Sequence, residues 1–133
     1  MEEAYFIIYV SDQSRSAVYY REVLGFEPIL DVPGITEFRL LDGTILGVMP
    51  VESAARLIGD RHFAAADSQR TPKAELYLVV DDPSSYHRRA IECGGTELSP
   101  MQLRSWGHRA AYSLDQDGHV LAFAEKVAPE TSA

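Results

Sequence analysis

The chain has 133 residues, 46% apolar and 24% charged, which suits one compact domain or two very small ones and argues against disorder. Its formal net charge of −8 argues against nucleic acid or an anionic membrane surface as the partner. The single cysteine, Cys93, excludes an intrachain disulfide framework and a cysteine-rich zinc site.

Nothing in the chain reads as a membrane or export segment. No apolar run is long enough to cross a bilayer. The first residues, MEEAYFIIYV, carry acids where a secretory signal carries bases. We therefore expect a cytoplasmic protein.

The first fifty residues predict one strand, one helix and three more strands. Residues 5–10 are rich in Ile, Tyr and Phe and predict a buried strand. Asp12 is the expected N-cap of the helix that follows, and Gly25 its end. Strands are then predicted at 26–32, at 35–41 after a Pro-Gly turn, and at 44–49 after an Asp-Gly turn.

The same order of signals returns after a linker, 51–73. Within the linker, residues 52–58 could form a short helix that ends at Gly59. A strand at 75–80, an N-cap at Asp82 and a helix from Pro83 follow. Residues 96–103 predict a poor strand because Pro100 interrupts it. Good strands follow at 110–114 and 119–125, and the tail 128–133 is expected to fray.

The chain is therefore predicted to be a doubled module. Val10, Asp12 and Gly25 match residues seventy positions later, and the phrase DGTILGV at 42–48 returns as DGHVLAF at 117–123. We predict an α+β fold with β-α-β-β-β modules at 1–50 and 74–127.

Two segments carry a resemblance to the vicinal oxygen chelate superfamily. They are YVSDQSRSAVYYREVLGF at 9–26 and WGHRAAYSLDQDGHVLAF at 106–123, and the second is similar to bleomycin-resistance-like members except that Gln116 stands in place of a proline. The resemblance implies a curved mixed sheet around a cavity, and a homodimer. The scaffold hosts many chemistries, so it implies no single activity.

Metal-dependent members of that superfamily hold a divalent ion with His, Gln or Glu on the first and last strands of each module. Alignment on the acids and the Asp-Gly turns puts those four places at Tyr5, Gly47, Glu75 and Ala122. Only Glu75 is a good ligand, and one carboxylate cannot satisfy a divalent ion. We therefore expect no metal and no other cofactor, although a site built from His62, His87, His108 and His119 stays open.

Strand alternation predicts which side chains would line the cavity. If Tyr5 faces inward, so do Ile7 and Tyr9, while Phe6, Ile8 and Val10 pack under the helix. The full predicted ligand-binding set is Tyr5, Ile7, Tyr9, Phe38, Gly47, Met49, Glu75, Tyr77, Trp106, His108, Tyr112 and Ala122, with the glycine and the alanine opening space. The alternative to a ligand-binding cavity is that these side chains belong to the hydrophobic core, or that a second subunit covers them.

A mostly aromatic lining with one acid suits a flat aromatic or cationic small molecule. We therefore predict a metal-free binding protein, with no catalytic residue assigned. The alternatives are a metal-dependent lyase, isomerase or dioxygenase, a metal-free enzyme using Glu75 as a base, and a regulatory module without a ligand. Arg109 could anchor an anionic group of the ligand, or pair with Asp115 or Asp117 and hold the turn.

Overall fold

A computed structural model describes residues 1–59, 63 and 72–128. The chain divides into two compact units, Met1–Thr71 and Pro72–Ala133. The helix ending at Gly59 belongs to the first unit, where it packs against that unit's sheet. Among the described residues, no helix is long and apolar enough to cross a membrane.

The first unit is one four-stranded mixed sheet with helices. Its elements in chain order are β1 (Ala4–Val10), α1 (Gln13–Leu24), β2 (Leu30–Val32), β3 (Ile35–Leu41), β4 (Thr44–Pro50) and α2 (Val51–Ile58). The strand order is β1-β4-β3-β2, with β1 parallel to β4 and the other pairs antiparallel. A strand was predicted over 26–32, but only the last three of these residues, Leu30–Val32, form one.

The ends of α1 follow the sequence prediction. The Asp12 carboxylate accepts the backbone N–H of Arg15 at 3.0 Å, which satisfies one of the donors left free at a helix start. Gly25 ends the helix with φ 86°, a left-handed conformation that glycine adopts without strain. Both ends of α1 therefore lie where the sequence predicts them.

The core of the first unit lies between α1 and the sheet. Tyr20 of α1 contacts Phe38 of β3, with ring centroids 6.5 Å apart, and Phe26 contacts the same ring at 6.3 Å. Leu46 and Val48 of β4 are fully buried beside them. Aromatic and aliphatic burial of this kind is the main stabilising term of a small unit.

The second unit repeats the plan. Its elements are β5 (Glu75–Val79), α3 (Pro83–Glu92), β6 (Thr96–Leu103), β7 (His108–Leu114) and β8 (Val120–Lys126), with the strand order β5-β8-β7-β6. Tyr86 of α3 stacks on Phe123 of β8 at 5.1 Å, so the core again lies between helix and sheet. The predicted α+β fold with two β-α-β-β-β modules is confirmed.

The start of α3 differs from the prediction. Asp82 has a left-handed backbone, φ 55°, and its side chain caps no backbone N–H. Its carboxylate instead accepts the hydroxyl of Ser85 at 2.6 Å. Pro83 occupies the first helical turn, as expected, because its fixed φ suits that position.

Strand β6 continues through Pro100, where a broken strand was predicted. It lies at the edge of its sheet, and its pairing with β7 shifts register between Glu97 and Ser99 and again between Ser99 and Gln102. Proline lacks the backbone N–H that a central strand needs, but an edge strand with bulges tolerates it. The edge position therefore explains why the strand survives its proline.

Candidate functional site

The candidate site lies on the sheet of the second unit, on the face opposite α3. Phe123 faces α3, so its neighbour Ala122 faces the other way. Tyr77 of β5 and Tyr112 of β7 both pair in register with Ala122 and therefore flank it on that same face. The sheet register thus brings three predicted site residues into one row.

A short chain of hydrogen bonds joins three aromatic side chains there. Trp106 Nε1 donates to the Tyr77 hydroxyl at 3.0 Å, and that hydroxyl lies 2.8 Å from Nδ1 of His108. An indole N–H can only donate, so the Tyr77 oxygen accepts from Trp106. Its own hydrogen then points to Nδ1 when the imidazole carries its proton on Nε2.

The turn between β6 and β7 places Trp106 and His108 next to Tyr77. The turn closes with Gly107 N–H donating to the Arg104 carbonyl at 3.1 Å, and Gly107 has φ 85°. Trp106 keeps 54% of its surface exposed while its N–H is bound. Rings held in this way present flat apolar surface at little cost in side-chain entropy.

Arg104 is a site residue that the sequence reasoning missed. Its guanidinium carbon lies 5.1 Å from the centre of the Tyr112 ring, within the range of a cation–π contact. The signal for it was weak, because the arginine stands in a turn whose geometry no periodicity fixes. Its position completes a cluster that holds four aromatic rings, one cation and one acid.

The acid of this cluster is Glu75. Burial raises the pKa of the Tyr112 phenol, the negative charge of Glu75 raises it further, and Arg104 opposes the shift. Glu75 lies two residues before Tyr77 in β5, and therefore on the same face. Glu75, Tyr77, Trp106, His108 and Tyr112 are thus gathered as the sequence predicted, although their role in binding stays a prediction.

The raised pKa of Tyr112 has a consequence at alkaline pH. In the unfolded chain its phenol ionises near pH 10, whereas the folded state retains the proton to higher pH. Between those two pKa values the unfolded state binds fewer protons, so stability falls as pH rises. In Tyr112→Phe we expect this alkaline loss to be smaller, and the tyrosinate absorbance titration to lose one ionisation that occurs above pH 10. Identical titration and stability curves for variant and wild type would contradict the assignment.

Ala122 does not open space for a ligand, which corrects the sequence prediction. Its relative exposure is 0%. The side chains that flank it in register are two tyrosines, and a methyl group between two such rings is covered by them. The small residue therefore lets the rings approach each other, with Tyr77 and Tyr112 centred 6.4 Å apart.

The predicted residues of the first unit share the face opposite α1, with one exception. Gly47 pairs with Ile7, and Met49 pairs with Tyr9, so odd-numbered residues of β1 and β4 point away from the α1 core. Tyr9 also contacts Phe63, with centroids 5.4 Å apart. Tyr5, Ile7, Tyr9, Gly47 and Met49 thus lie together as expected.

The exception is Phe38, which was predicted to belong to the ligand-binding set that lines the cavity. It is fully buried in the core against Tyr20 and Phe26, on the α1 side of the sheet. Its parity in β3 is opposite to that of Glu37, which pairs with Gly47. A ring enclosed in this way cannot contact a ligand on the other face, so that assignment was wrong.

Gly47 also fails to open space. A Cβ at this position would lie 3.0 Å from Ile7 Cγ1 and 3.3 Å from Ile35 Cδ1, closer than ordinary side-chain contact. The glycine is therefore needed because two isoleucines occupy the room above it. The absent side chain is compensated by packing, and no gap for a ligand is left there.

In β1, Phe6 departs from the prediction. It has the parity predicted for packing under the helix, yet 56% of its surface is exposed. The strand lies at the edge of its sheet, where cover from the helix ends.

The face of the first unit carries a second acidic neighbourhood. The carboxylates of Glu3 and Glu37 raise the pKa of the Tyr5 phenol, burial adds to this, and Arg39 opposes it. The Tyr5 hydroxyl donates to Glu3 at 3.4 Å, and Arg39 approaches Glu3 at 3.9 Å. Glu37 is a further polar residue on this face that the sequence reasoning did not assign.

Arg109 does not pair with Asp115 or Asp117, which was one of its two predicted roles. Its guanidinium lies 3.9 Å from Glu125, its partner in the β7–β8 register. Residues of this parity face the α3 side of the sheet, away from Tyr77. The neighbouring Asp115 binds the backbone N–H groups of Asp117 and His119 instead, each at 2.9 Å.

The donors for a divalent metal do not fit in the part of the chain that the structure describes. Across residues 1–59, 63 and 72–128, no three His, Cys, Asp or Glu side chains come together in a group able to hold an ion. His87 binds Glu97 at 2.8 Å and His119 binds Asp115 at 2.9 Å, each as a local pair. His62 lies outside the described residues.

Comparison with known proteins agrees with this architecture. A sequence model of the Glyoxalase/Bleomycin resistance protein/Dioxygenase superfamily matches residues 4–123. No match was found among curated protein sequences.

Solved structures give the same result. A glyoxalase-related enzyme from Fulvimarina pelagi is 25% identical with a TM-score of 0.77, and the match covers 92% of this chain and 86% of that one. A glyoxalase/bleomycin resistance protein/dioxygenase family enzyme from Burkholderia phytofirmans PsJN is 20% identical with a TM-score of 0.78, covering 92% and 97%. A glyoxalase/bleomycin resistance protein from Catenulispora acidiphila DSM 44928 is 23% identical with a TM-score of 0.62, covering 94% and 98%.

The family match spans nearly the whole chain, and both β-α-β-β-β modules are present. The chain therefore belongs to the glyoxalase/bleomycin resistance protein/dioxygenase superfamily.

Proposed function

We propose that the protein is a metal-free binder of a small, flat, aromatic or cationic molecule. The observation that carries the proposal is the cluster of Tyr77, Trp106, His108 and Tyr112 on one sheet face, with Glu75 beside it. The absence of a fitting metal donor set in the described residues also supports it.

The cluster offers two kinds of attraction to such a ligand. Each ring face contributes about 0.5–1.5 kcal/mol of stacking, and a cation over a ring contributes about 0.5–1 kcal/mol where water has access. The Glu75 carboxylate adds Coulomb attraction for a cation. The same carboxylate raises the pKa of the nearby Tyr112 phenol, so its field is felt at the rings. The sum suits a modest affinity whose selectivity comes from ring shape and charge.

The chain supplies its own reporter, because Trp106 is its only tryptophan. We expect benzyltrimethylammonium to change the Trp106 fluorescence saturably, and neutral benzyl alcohol to bind more weakly. Glu75→Gln is expected to weaken the cation about fivefold, equivalent to about 1 kcal/mol. Glu92→Gln, which removes a charge from α3 on the other side of the sheet, serves as the matched control.

Two outcomes would contradict the proposal. One is equal binding of the cation and the alcohol, together with no effect of Glu75→Gln. The other is about one tightly held Fe, Mn, Ni or Zn ion per chain in elemental analysis of dialysed protein. That second result would favour the alternative function, a metal-dependent lyase, isomerase or dioxygenase, for which the likeness to the Fulvimarina pelagi enzyme speaks.

A further inference from the structure

The positive charge of the cluster is held in a fixed place. Arg104 Nη2 donates to Ser99 Oγ at 2.9 Å, to the Pro100 carbonyl at 2.9 Å and to the Ala110 carbonyl at 2.8 Å. Nε donates to the same Ala110 carbonyl at 3.1 Å. These acceptors hold the guanidinium over Tyr112 and occupy the N–H groups of Nε and Nη2, which leaves those of Nη1.

That charge has no acidic partner in the described part of the chain. The acceptors of Arg104 are neutral carbonyl and hydroxyl oxygens, and no Asp or Glu carboxylate among the described residues lies within ion-pair distance of it. Nη1 makes no hydrogen bond to a described residue and is not a buried atom. It is a charged donor of the kind that binds a carboxylate strongly.

The negative charge of the cluster likewise has no basic partner among the described residues. Glu75 is exposed and makes no hydrogen bond or ion pair with any residue in the described ranges. It belongs to β5, whereas Arg104 lies over β7, and β8 separates these two strands in the sheet. Two strand spacings amount to about 10 Å, and an offset along the strands adds to this, because Glu75 lies opposite Leu114 whereas Arg104 binds the carbonyl of Ala110.

Tyr112 and Tyr77 lie between the two charges. Both charges act on the pKa of Tyr112, since Glu75 raises it and Arg104 lowers it. Both groups therefore lie near the same phenol. A ligand resting on these rings would meet the Glu75 carboxylate on one side and Nη1 of Arg104 on the other.

From this arrangement we infer that the ligand is a zwitterion with an aromatic or flat apolar part, its ammonium directed at Glu75 and its carboxylate at Nη1 of Arg104. The inference rests on the proposed function and narrows it from a cation to a dipolar molecule. Each charged end of such a ligand makes a charge-assisted hydrogen bond, which is stronger than one between neutral groups.

Three probes with the same ring test the inference on the unaltered chain. L-phenylalanine carries both charges, 2-phenylethylamine lacks the carboxylate, and 3-phenylpropanoate lacks the ammonium. In titrations followed by Trp106 fluorescence and by thermal shift, we expect L-phenylalanine to bind at least about tenfold more tightly than either analogue.

Charge-deleting variants then assign each end. Arg104→Gln is expected to remove the advantage of L-phenylalanine over 2-phenylethylamine, and Glu75→Gln its advantage over 3-phenylpropanoate. Arg88→Gln and Glu92→Gln delete the same charges from an exposed pair on α3, 3.9 Å apart, and are expected to change neither ratio. If Arg104→Gln does not fold, Arg104→Lys retains the charge without the planar fork and is expected to lower the first ratio.

The failures of the two proposals can be told apart. If 2-phenylethylamine binds as tightly as L-phenylalanine, the zwitterion inference is wrong while binding of an aromatic cation stands. If 3-phenylpropanoate binds most tightly, both the zwitterion and the cationic ligand are excluded. If none of the probes, nor benzyltrimethylammonium, changes the Trp106 signal or the melting temperature, both proposals fall.

Discussion

Phe38→Ala is expected to lower the free energy of unfolding by about 3–5 kcal/mol, the usual cost of emptying a buried phenylalanine site. The ring is 0% exposed and is enclosed by Tyr20 and Phe26, so the loss combines transfer free energy with the cavity left behind. Chemical denaturation of the variant and the wild type measures the difference directly.

Phe6→Ala is the matched control, because it deletes the same side chain from the same sheet at a position that is 56% exposed. We expect it to cost about 1 kcal/mol or less. Phe38→Leu, which refills most of the volume, should recover much of the loss. If Phe38→Ala cost no more than Phe6→Ala, the placement of Phe38 in the core would be wrong.

Asp115→Ala is expected to have the second large effect, about 3–5 kcal/mol of unfolding free energy. The carboxylate is 6% exposed, and its Oδ1 accepts the N–H groups of both Asp117 and His119 at 2.9 Å. It also pairs with His119 Nδ1 at 2.9 Å through Oδ2. Alanine would leave these donors without their acceptor in the turn that feeds β8.

The isosteric variant separates shape from charge. Asp115→Asn keeps an oxygen able to accept the two backbone N–H groups and loses the negative charge that faces His119, so we expect it to cost less than half as much as alanine. Denaturation curves for the three proteins at one pH make the comparison. Equal losses in the two variants would mean that the backbone hydrogen bonds contribute nothing to holding the turn.

The duplicated plan was predictable from the sequence because its signals are local. An acid before each helix, a glycine after it and an Asp-Gly turn before each last strand recur in a fixed order. Where a signal depends on tertiary context, the prediction was less accurate. Asp82 kept its place at a helix start but changed its role, and β6 persisted through Pro100 because an edge position tolerates a proline.

The candidate site was predictable where strand alternation decides the face. Tyr77 and Glu75 share a face by counting alone, and the register then adds Tyr112. Phe38 was assigned to the wrong face, although the sequence of β3 indicates the right one. Its neighbours Glu37 and Arg39 point to the opposite face, and charged residues avoid the core. Counting from those charges would have put the phenylalanine under α1.

The two small residues and Arg104 lay beyond such counting. Whether Gly47 leaves a gap depends on whether Ile7 and Ile35 fill it, and that is a matter of side-chain volume in three dimensions. Arg104 reaches Tyr112 by folding back from a turn, so its contact joins residues that no alternation relates. Strand alternation predicts the face of the sheet on which a side chain lies more readily than it predicts the side chains that contact it.

Pro100 has a consequence for how copies of this protein meet one another. A sheet edge with a full row of unsatisfied amide groups is a template on which another chain can add a strand, the first step of many aggregation reactions. Pro100 removes one amide N–H from β6, and two register shifts interrupt the regular ladder of this edge strand. Addition of a strand from another copy of the chain is therefore disfavoured at the β6 edge of the second sheet.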